Sequence, residues 1–391
     1  WMTGRIISVT HVALGPVRVQ LTLGQHGQAI GAAAAYALKH KLTPRQTADP
    51  EGPHIQQLRQ QLIRQDVRLL GVVNSDPDDL ARKATVRASS SARLQLGQPS
   101  NGWTPLSRAT AQILPVTATR LDSVEILLHN DDSEPRWIEA ELHALNRIWD
   151  RETGRVVGRA SATIGAGEQG WVRLSFNTAT EPDKPYRLAL EPTPGVSWAH
   201  GPAMTGTTAH YRYRCPGGPE ARHRHLPSFG PDEIQIPAYE HWRQIRHITF
   251  ATRGEPEFRP YEASAAVNGR AWPENMPNLW ISDPAEPLPQ WLQLDWTEPQ
   301  RISKVLVSFD TQLDLTTSER PGFWKAPECA RDWQLQVRNG DKWKTVFTET
   351  GNYQRRRTAT FEPVVTDSLR LLITATNGDP SARVFEVRVY Q

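Results

Sequence analysis

The sequence predicts a mainly β protein in which two antiparallel β-sandwich domains of the jelly-roll type follow a short α+β segment. From Ala84 onward, short segments of alternating apolar and polar residues are separated by turn residues, as in half-buried strands. The 391 residues include 31 prolines and 14 tryptophans, and 38% are hydrophobic, which suits turn-rich sandwiches better than helical bundles. Before Ala84, an alanine-rich run predicts a helix. At about 150 residues per domain, this length predicts two or three hydrophobic cores.

The first predicted domain spans residues 1–75 and combines strands with two helices. Residues 6–22 contain two β-rich runs joined by a Gly-Pro turn, which predicts a hairpin or a strand–loop–strand. Residues 28–39 are rich in strong helix formers and end in lysine, so they predict one helix. Residues 54–66 predict a second, amphipathic helix that begins after a proline.

Small residues form a stripe along the first predicted helix. Gly27, Gly31 and Ala35 recur every four residues and therefore share one face. That face would admit a strand, a second helix or a flat ligand, and dense packing in a core is the alternative explanation. The N–H groups from Gly27 to Ala29 are expected to be free at the helix start, where they could receive a pyrophosphate or a polarised ring carbonyl.

Two segments of this domain carry a resemblance to a known family. They are HVALGPVRVQLTLGQHGQAIGAAAAYALKHKLTPRQ and, after it, IQQLRQQLIRQD. Together they resemble the C-terminal end of the FAD-dependent oxidoreductase family that is often labelled xanthan-lyase-like. The resemblance covers roughly residues 5–70. In that family the glycine-rich turn and the helix start close over the flavin. The resemblance implies cofactor contacts for Gly24, Gln25, Gly27, Gln28 and Gly31, with His11 and Arg18 nearby. A loop histidine bonded to backbone is an equal interpretation of His11, and a pair with a surface acid is the alternative for Arg18.

The rest of that family's cofactor fold is not found in the sequence. Such a flavoprotein has an N-terminal strand, a G-x-G-x-x-G turn and a helix, with an acidic residue about twenty positions further on. The triplet Gly165-Ala166-Gly167 lies in a polar stretch and predicts a hairpin turn instead. We therefore expect a C-terminal portion of an oxidoreductase, whose partner is the missing N-terminal flavin-binding portion. FAD belongs to the parent protein, and this chain alone is expected neither to retain it nor to be active.

The second predicted domain spans residues 84–215 and follows a polar, turn-forming linker. Its predicted strands are 84–94, 120–129, 137–145, 171–176, 186–190 and 208–214. In the strand 171–176, alternation predicts one buried face, made of Val172, Leu174 and Phe176. Several short strands at this spacing predict an antiparallel sandwich or jelly roll.

A second set of motifs occupies the last third of the chain. In order, they are AAVNG at 265–269, NLWISD at 278–283, PQWLQLDW at 289–296, ISKVLVSF at 302–309, DWQLQV at 332–337 and ARVFEVRVY at 382–390. This order resembles a discoidin, or coagulation factor F5/8 type C, domain. The resemblance spans roughly residues 234–391 and implies a galactose-binding-like β-sandwich as the third domain.

Discoidin-like domains commonly bind sugars or lipid head groups through loops at one end of the sandwich. The candidate here is the proline-rich loop 318–328, with Phe323 and Trp324 as platforms for the C–H face of a sugar and Arg320 as a hydrogen-bond donor. A carbohydrate is therefore a candidate ligand. The same loop could instead pack against the flavin domain of the full enzyme.

Composition argues against several other classes of function. The formal net charge is +3, with basic residues spread along the chain and balanced by 42 acids, so nucleic acid is a poor candidate partner. No apolar run approaches membrane-spanning length. Cys215 and Cys329 are expected to be isolated thiols. His223 and His225 have no third ligand near them in sequence and are flanked by arginines, so no metal site is expected.

Two charged clusters are interpreted as structural. Asp131, Asp132 and Glu134 are expected to solvate a turn rather than to form the carboxylate pair of a glycoside hydrolase. The three arginines at 355–357 alternate along a strand, so one or two of them are expected to pair with acids.

Two functions from different classes follow. The first is the C-terminal part of a secreted or periplasmic FAD-dependent oxidoreductase that acts on carbohydrate, with the sandwiches as accessory domains. The second is a non-enzymatic carbohydrate-binding, discoidin-like module in which residues 1–70 are a vestige. No signal peptide is visible, and one would precede the missing portion, so the sequence leaves the location open.

Overall fold

The computed structural model describes residues 1–94, 96–97, 99, 102–152, 154–202, 204–215, 239–245, 248–313 and 324–391. The chain forms two compact units, each assembled from separate stretches of sequence. The first unit contains Trp1–Ser89, Ala263–Trp272 and Pro287–Gln391, and the second contains Ser90–Glu262 and Pro273–Glu286. Antiparallel sheets dominate both units and the helices are confined mainly to the N-terminal segment, so the predicted mainly β fold class is confirmed.

The N-terminal segment is helical. Its α-helices are α1 (His11–Val17), α2 (Gln20–His40), α3 (Pro44–Thr47) and α4 (Pro53–Arg64), and short 3-10 helices span Gly4–Ile6 and Leu80–Lys83. The hairpin predicted for residues 6–22 is wrong, because this stretch contains α1 and the start of α2. Thr10 caps α1 by accepting a hydrogen bond from the Ala13 N–H at 3.3 Å. Such a cap, together with contacts between α1 and α2, outweighs the modest strand preference of β-branched residues.

The two predicted helices are confirmed as parts of α2 and α4. They pack through one cluster of buried side chains, namely Ala33, Tyr36, Leu58, Leu62 and Val67. Helix α2 begins at Gln20 rather than Gln28 and ends at His40, and its C-terminal cap is Lys41, which has the left-handed φ of 53°. The Leu42 N–H then donates to the Ala37 carbonyl at 2.9 Å and closes the last turn.

Within the described residues, nineteen strands follow these helices. They are β1 (Thr85–Ala88), β2 (Trp103–Pro105), β3 (Thr110–Val116), β4 (Arg120–Asn130), β5 (Arg136–Ala144), β6 (Arg155–Ile164), β7 (Gln169–Ala179), β8 (Lys184–Leu190), β9 (Val196–Gly201), β10 (Ala209–Cys215), β11 (Tyr239–Ile245), β12 (Thr249–Phe250), β13 (Thr252–Glu255), β14 (Trp280–Ile281), β15 (Gln290–Phe309), β16 (Ala330–Asn339), β17 (Lys342–Glu349), β18 (Arg356–Thr376) and β19 (Arg383–Tyr390). A further 3-10 helix spans Ala263–Val267.

The first unit is built on a sheet with the order β19-β15-β18-β16-β17, to which β1 adds on β15. The pairing of β15 with β18 shifts between Asp295 and Gln300 and again between Ile302 and Lys304. Such irregularities allow long strands to bend around a single core. That core includes the buried side chains of Leu294, Val305, Trp333, Leu335, Leu371 and Val387.

Strand β1 belongs to the first unit, although the sequence analysis assigned it to the middle sandwich. Val86 pairs with Leu294 of β15, and Arg87 forms an ion pair with Asp295 at 2.8 Å. Alternation along residues 84–94 correctly predicted a strand in this stretch. The assignment to the middle sandwich is wrong because alternation identifies the buried face of a strand but not its partner.

The described residues of the second unit form two sheets. One has the order β11-β10-β3-β8-β5-β6, and the other has the order β12-β9-β4-β13 with β2 on β9 and β7 on β4. The strands predicted at 120–129, 137–145, 171–176, 186–190 and 208–214 are confirmed as β4, β5, β7, β8 and β10. Val172, Leu174 and Phe176 are buried, as predicted for that face of β7. The turn predicted at Gly165-Ala166-Gly167 is also confirmed, between β6 and β7.

Candidate functional sites

Five of the predicted flavin-lining residues lie inside α2, namely Gly24, Gln25, Gly27, Gln28 and Gly31. The expected turn before the helix is wrong, because α2 runs without a break from Gln20 to His40. The N–H groups from Gly27 to Ala29 are therefore not free, since inside a helix each donates to the carbonyl four residues earlier. Contact between these five residues and a cofactor stays a prediction.

One side of α2 is open. Apart from the adjacent residues and the backbone of the helix itself, no described atom lies within 4 Å of the position that a Cβ would take on Gly24 or Gly31. Leu21 and Leu38, near the two ends of the helix, are 76% and 82% exposed. The described residues therefore leave these two glycines uncovered, which is not the dense core packing that was the alternative explanation of the small-residue stripe.

Large apolar side chains are exposed throughout the first forty residues. They are Trp1, Met2, Ile6, Val9, Leu14, Val19, Leu21 and Leu38. Soluble monomers seldom expose large contiguous apolar areas, and such areas usually mark sites where another surface binds. The helical segment is therefore a candidate interface.

The two other predicted cofactor residues lie at the ends of α1. His11 is the first residue of that helix, and its side chain is outside the described part of the chain. Arg18 follows the last residue, is exposed, and donates its backbone N–H to the Leu14 carbonyl at 3.1 Å. A role for either residue at a cofactor stays a prediction.

Arg355 connects the segment after α4 to the C-terminal sheet. Its Nε lies 2.9 Å from Asp66 Oδ2, and the two side chains are 10% and 12% exposed. The guanidinium lies 4.2 Å from the ring centroid of Trp272 and donates to the Phe309 carbonyl at 3.0 Å. The pair is therefore both shielded from water and supported by further contacts, which makes it stronger than an exposed ion pair.

Arg356 and Arg388 bind the C-terminal end of α4. Arg356 donates to the Arg64 carbonyl at 2.9 Å, and Arg388 donates to the Ile63 carbonyl at 3.2 Å. Both guanidinium groups also pair with Glu386, at 3.3 Å and 2.8 Å. Because the last carbonyls of a helix lack donors within the helix and carry partial negative charge, these arginines stabilise the end of α4.

The charged clusters are structural in the described residues. The arginines at 355–357 all form ion pairs, with Asp66, Glu386 and Glu349, where the sequence predicted one or two. Asp132 accepts a hydrogen bond from Arg136 at 2.7 Å, as expected for an acid that stabilises a turn. Within the described part of the chain, no group of three or more His, Cys, Asp and Glu side chains is arranged to hold a metal ion. His223 and His225 lie outside that part.

The predicted sugar loop is described only from Trp324 onward, and Arg320 and Phe323 lie outside the described residues. The Trp324 side chain is 60% exposed and meets Tyr353 edge to face, with 5.3 Å between the ring centroids. The Lys325 Nζ lies 6.0 Å from the Trp324 centroid. The sequence analysis missed Tyr353, because a single tyrosine in a polar turn gives no sign that it meets a distant tryptophan.

The cysteine near this loop is not a reactive group. Cys329 is a free thiol, and it is fully buried. Burial raises the pKa of this thiol to about 12, so the reactive thiolate is scarce at neutral pH. The Cys215 side chain lies outside the described part of the chain.

These features define a class of protein: antiparallel β-sandwiches preceded by a helical segment with an open, glycine-bearing face. Residues 1–62 match the FAD dependent oxidoreductase family. Residues 265–371 match the family of NedA-like, galactose-binding domains. Both resemblances noted in the sequence are thereby confirmed, and neither match covers residues 63–264. No curated protein matches the sequence.

Solved structures that resemble part of the chain include carbohydrate-binding modules. Chitosan-binding module 1 from a chitosanase/glucanase of Paenibacillus sp. IK-5 is 22% identical, with a TM-score of 0.26, and the match covers 34% of this chain and 86% of the module. The family 32 module of Streptococcus pneumoniae EndoD is 18% identical, with a TM-score of 0.28 and coverages of 34% and 86%. The family 32 module of Clostridium perfringens NanJ, solved with galactose, is 18% identical, with a TM-score of 0.26 and coverages of 33% and 85%.

In the part of the chain that the structure describes, no helix is both long and apolar enough to cross a membrane.

Proposed function

We propose that residues 1–62 form one wall of the flavin site of an FAD-dependent oxidoreductase and that a flavin-binding portion outside these 391 residues supplies the rest. The observation that carries the proposal is the open, apolar side of the helical segment, which lies within the residues that match the family. FAD is then a cofactor of the parent protein and is not retained by this chain alone.

The geometry of α2 fits the ring of a flavin better than its pyrophosphate. The N–H groups near Gly27 are bonded within the helix, so they offer no anion site. Gly24 and Gly31 leave the backbone open to a flat ligand, and Gln28 on the same side supplies an amide for hydrogen bonds. The flavin would supply the redox chemistry, and this chain's residues would bind the ring and keep water away from it.

A reconstitution experiment tests this wall. The purified chain should show no flavin absorbance, whereas the chain co-expressed with the flavin-binding portion of its gene should retain FAD. Leu21→Asp and Leu38→Asp should lower the FAD content of that complex, because a carboxylate on the buried side of an interface lacks a partner. Leu70→Asp is the control, since Leu70 is exposed in the same unit but lies outside α2. Retention of FAD by the chain alone, or equal FAD content in all three variants, would contradict the proposal.

The second proposed activity is carbohydrate binding by the C-terminal sandwich. The exposed ring of Trp324, in the segment predicted to be a sugar loop, meets the exposed ring of Tyr353 edge to face. Aromatic rings offer flat apolar surfaces on which the C–H face of a sugar can stack. A secreted or periplasmic location, where polysaccharides occur, is part of this proposal. In the alternative proposal the chain has no catalytic partner and acts only as a carbohydrate-binding module.

Affinity electrophoresis in gels that contain galactan tests the sugar site. Trp324→Ala should reduce the retardation of the protein, and Trp343→Ala, at a tryptophan of β17 that lies under Arg370, serves as the matched control. If the retardation of Trp324→Ala equals that of the unmodified chain, the loop does not bind this sugar, and docking on the flavin-binding portion is the remaining explanation.

A further inference from the structure

The second unit has a surface to which neither family match extends. On the outer face of the sheet that contains β4 and β9, Trp171 pairs with Leu127 and Trp103 pairs with Ala199. Leu127, Ala199 and Ala251 form one cluster against which Trp171 packs. Two tryptophans therefore border a floor of apolar side chains on a single sheet face. We refer to this surface as the Trp103 face.

Hydrogen-bonding groups lie beside Trp103. The His129 ring meets the Trp103 ring at a steep angle, with 5.7 Å between centroids, and His129 Nδ1 is 3.2 Å from Asp131 Oδ1. Register places Ser197 on one side of His129 and Gln169 on the other, with all three side chains on the same sheet face. An imidazole thus lies against an indole that is 37% exposed, and a hydroxyl, an amide and a carboxylate lie next to that imidazole on the same sheet.

Charged groups of both signs lie on this face. Arg173 binds Glu255 at 2.6 Å, and the Arg253 guanidinium lies 3.8 Å from the Trp171 ring centroid. Register places Glu125 between Arg173 and Arg253. Because acidic and basic side chains are interspersed, the face has no large excess of one sign of charge that would select a polyanion.

We propose that the Trp103 face binds a neutral oligosaccharide. The ring of Trp103 would stack on the apolar C–H face of a sugar, and Gln169, Ser197 and Asp131 would exchange hydrogen bonds with its hydroxyl groups. A protein partner would need a larger apolar area than one half-exposed tryptophan supplies, because stable interfaces bury about 800 Å² on each side. This site is independent of the one proposed on the C-terminal sandwich, since it lies in a different unit.

Affinity electrophoresis with the full chain tests the proposal, using gels that contain soluble β-glucan, galactan or xylan. All variants carry Trp324→Ala, so that the C-terminal sandwich does not mask the result. At least one of these polysaccharides should retard the chain, and adding Trp103→Ala should weaken that binding about tenfold. Trp137→Ala is the matched control, because Trp137 is an exposed tryptophan of the same unit on β5 of the other sheet. Trp103→Tyr should keep most of the affinity, since it keeps an aromatic ring.

The proposal would be overturned if none of the three gels retarded the Trp324→Ala chain. It would also be overturned if Trp103→Ala and Trp137→Ala lowered the affinity for the polysaccharide equally. Stronger retardation in a gel that contains the acidic polysaccharide polygalacturonate than in the neutral gels would contradict it as well. If Trp103→Ala lowers the temperature of thermal unfolding, Gln169→Ala replaces it as the deciding variant, because Gln169 is an exposed side chain beside the site. Unchanged binding of Gln169→Ala would then count against the site.

Discussion

Arg355 and Asp66 are 289 positions apart in sequence, and their contact is the best shielded ion pair between the helical segment and the C-terminal sheet. Removing one member of such a pair leaves the other charge in a place that water barely reaches. The cost of a buried, unpaired charge is larger than the attraction that an exposed pair supplies, which explains why few of this chain's many ion pairs are expected to matter for stability.

Arg355→Ala should therefore lower the free energy of unfolding of the first unit by about 3 kcal/mol. The matched control is Arg338→Ala, which removes the partner of Asp367 in a pair whose side chains are 42% and 39% exposed. The control should leave the urea midpoint unchanged, because solvent screens that pair. Equal shifts of the urea midpoint in the two variants would show that Asp66 and Arg355 do not form the shielded contact.

The buried position of His210 predicts that the second unit loses stability as the pH falls. Burial, with Arg187 and Arg151 nearby, lowers the pKa of His210 from 6.5 to about 3 in the folded chain. The unfolded chain therefore binds a proton at a pH where the folded chain does not, so this stability is complete above pH 6.5 and is lost as the pH falls toward 3. His210→Gln should flatten the fall in stability over this range, as measured by chemical unfolding at several pH values. His40→Gln, at an exposed position, should keep the wild-type slope, and the same slope in His210→Gln would refute the assignment.

At the scale of elements, the end of α2 offers a direct test of its geometry. Lys41 adopts a left-handed conformation with φ of 53°, which glycine adopts without steric cost. Lys41→Gly should raise the free energy of unfolding by up to about 1 kcal/mol. Lys39→Gly, two residues earlier in the last helical turn, should lower it by a similar amount, because glycine is a poor helix former. Thermal unfolding of the two variants should shift in opposite directions, and shifts of the same sign would place the end of α2 elsewhere.

Local sequence patterns predicted most strands but not their partners. Alternation of apolar and polar residues identified β4, β5, β7, β8 and β10, although β8 is buried on both faces. The same signal in β1 could not show that Val86 pairs with Leu294, since the partner is distant in the sequence. The strands predicted for residues 6–22 are wrong because β-branched residues also occur in short capped helices such as α1.

One candidate site could be predicted from local sequence, whereas the contacts between aromatic rings at the other two could not. The open face of α2 follows from small residues at helical spacing, so its position could be predicted before the fold was known. The meeting of Trp324 with Tyr353 and that of Trp103 with His129 depend on tertiary contacts between distant segments. Such contacts have no signature in a short stretch of sequence.

At the scale of the molecule, the helical segment and the C-terminal sandwich form one unit rather than two independent domains. Three arginines of the sandwich contact the last two residues of α4 or Asp66, which lies two positions after that helix, and Val389 donates its N–H to Asp79 at 3.0 Å. A flavin-binding portion that docks on α2 would thus be held in a fixed relation to the C-terminal sandwich.

Two truncations test this connection. A chain that lacks residues 1–18 should keep the thermal stability of the C-terminal sandwich, because α2, α4 and the arginine contacts remain. A chain that lacks residues 1–75 should unfold at a lower temperature, because Arg355 loses Asp66 and the other two arginines lose their carbonyl partners. Circular dichroism during heating would detect the difference, and an identical curve for the two chains would show that the sandwich does not need the helical segment.

The pairing of β1 with β15 also limits the order in which the two units can fold during synthesis. Ser89, directly after β1, bonds with Gln290 at the start of β15, 201 positions later, and all of the second unit is synthesised between them. The second unit can therefore fold while β1 still lacks its partner strand, and the first unit can close only after β15 to β19 have been synthesised. Any pause or premature stop within that interval leaves a bare strand available for pairing with another nascent chain.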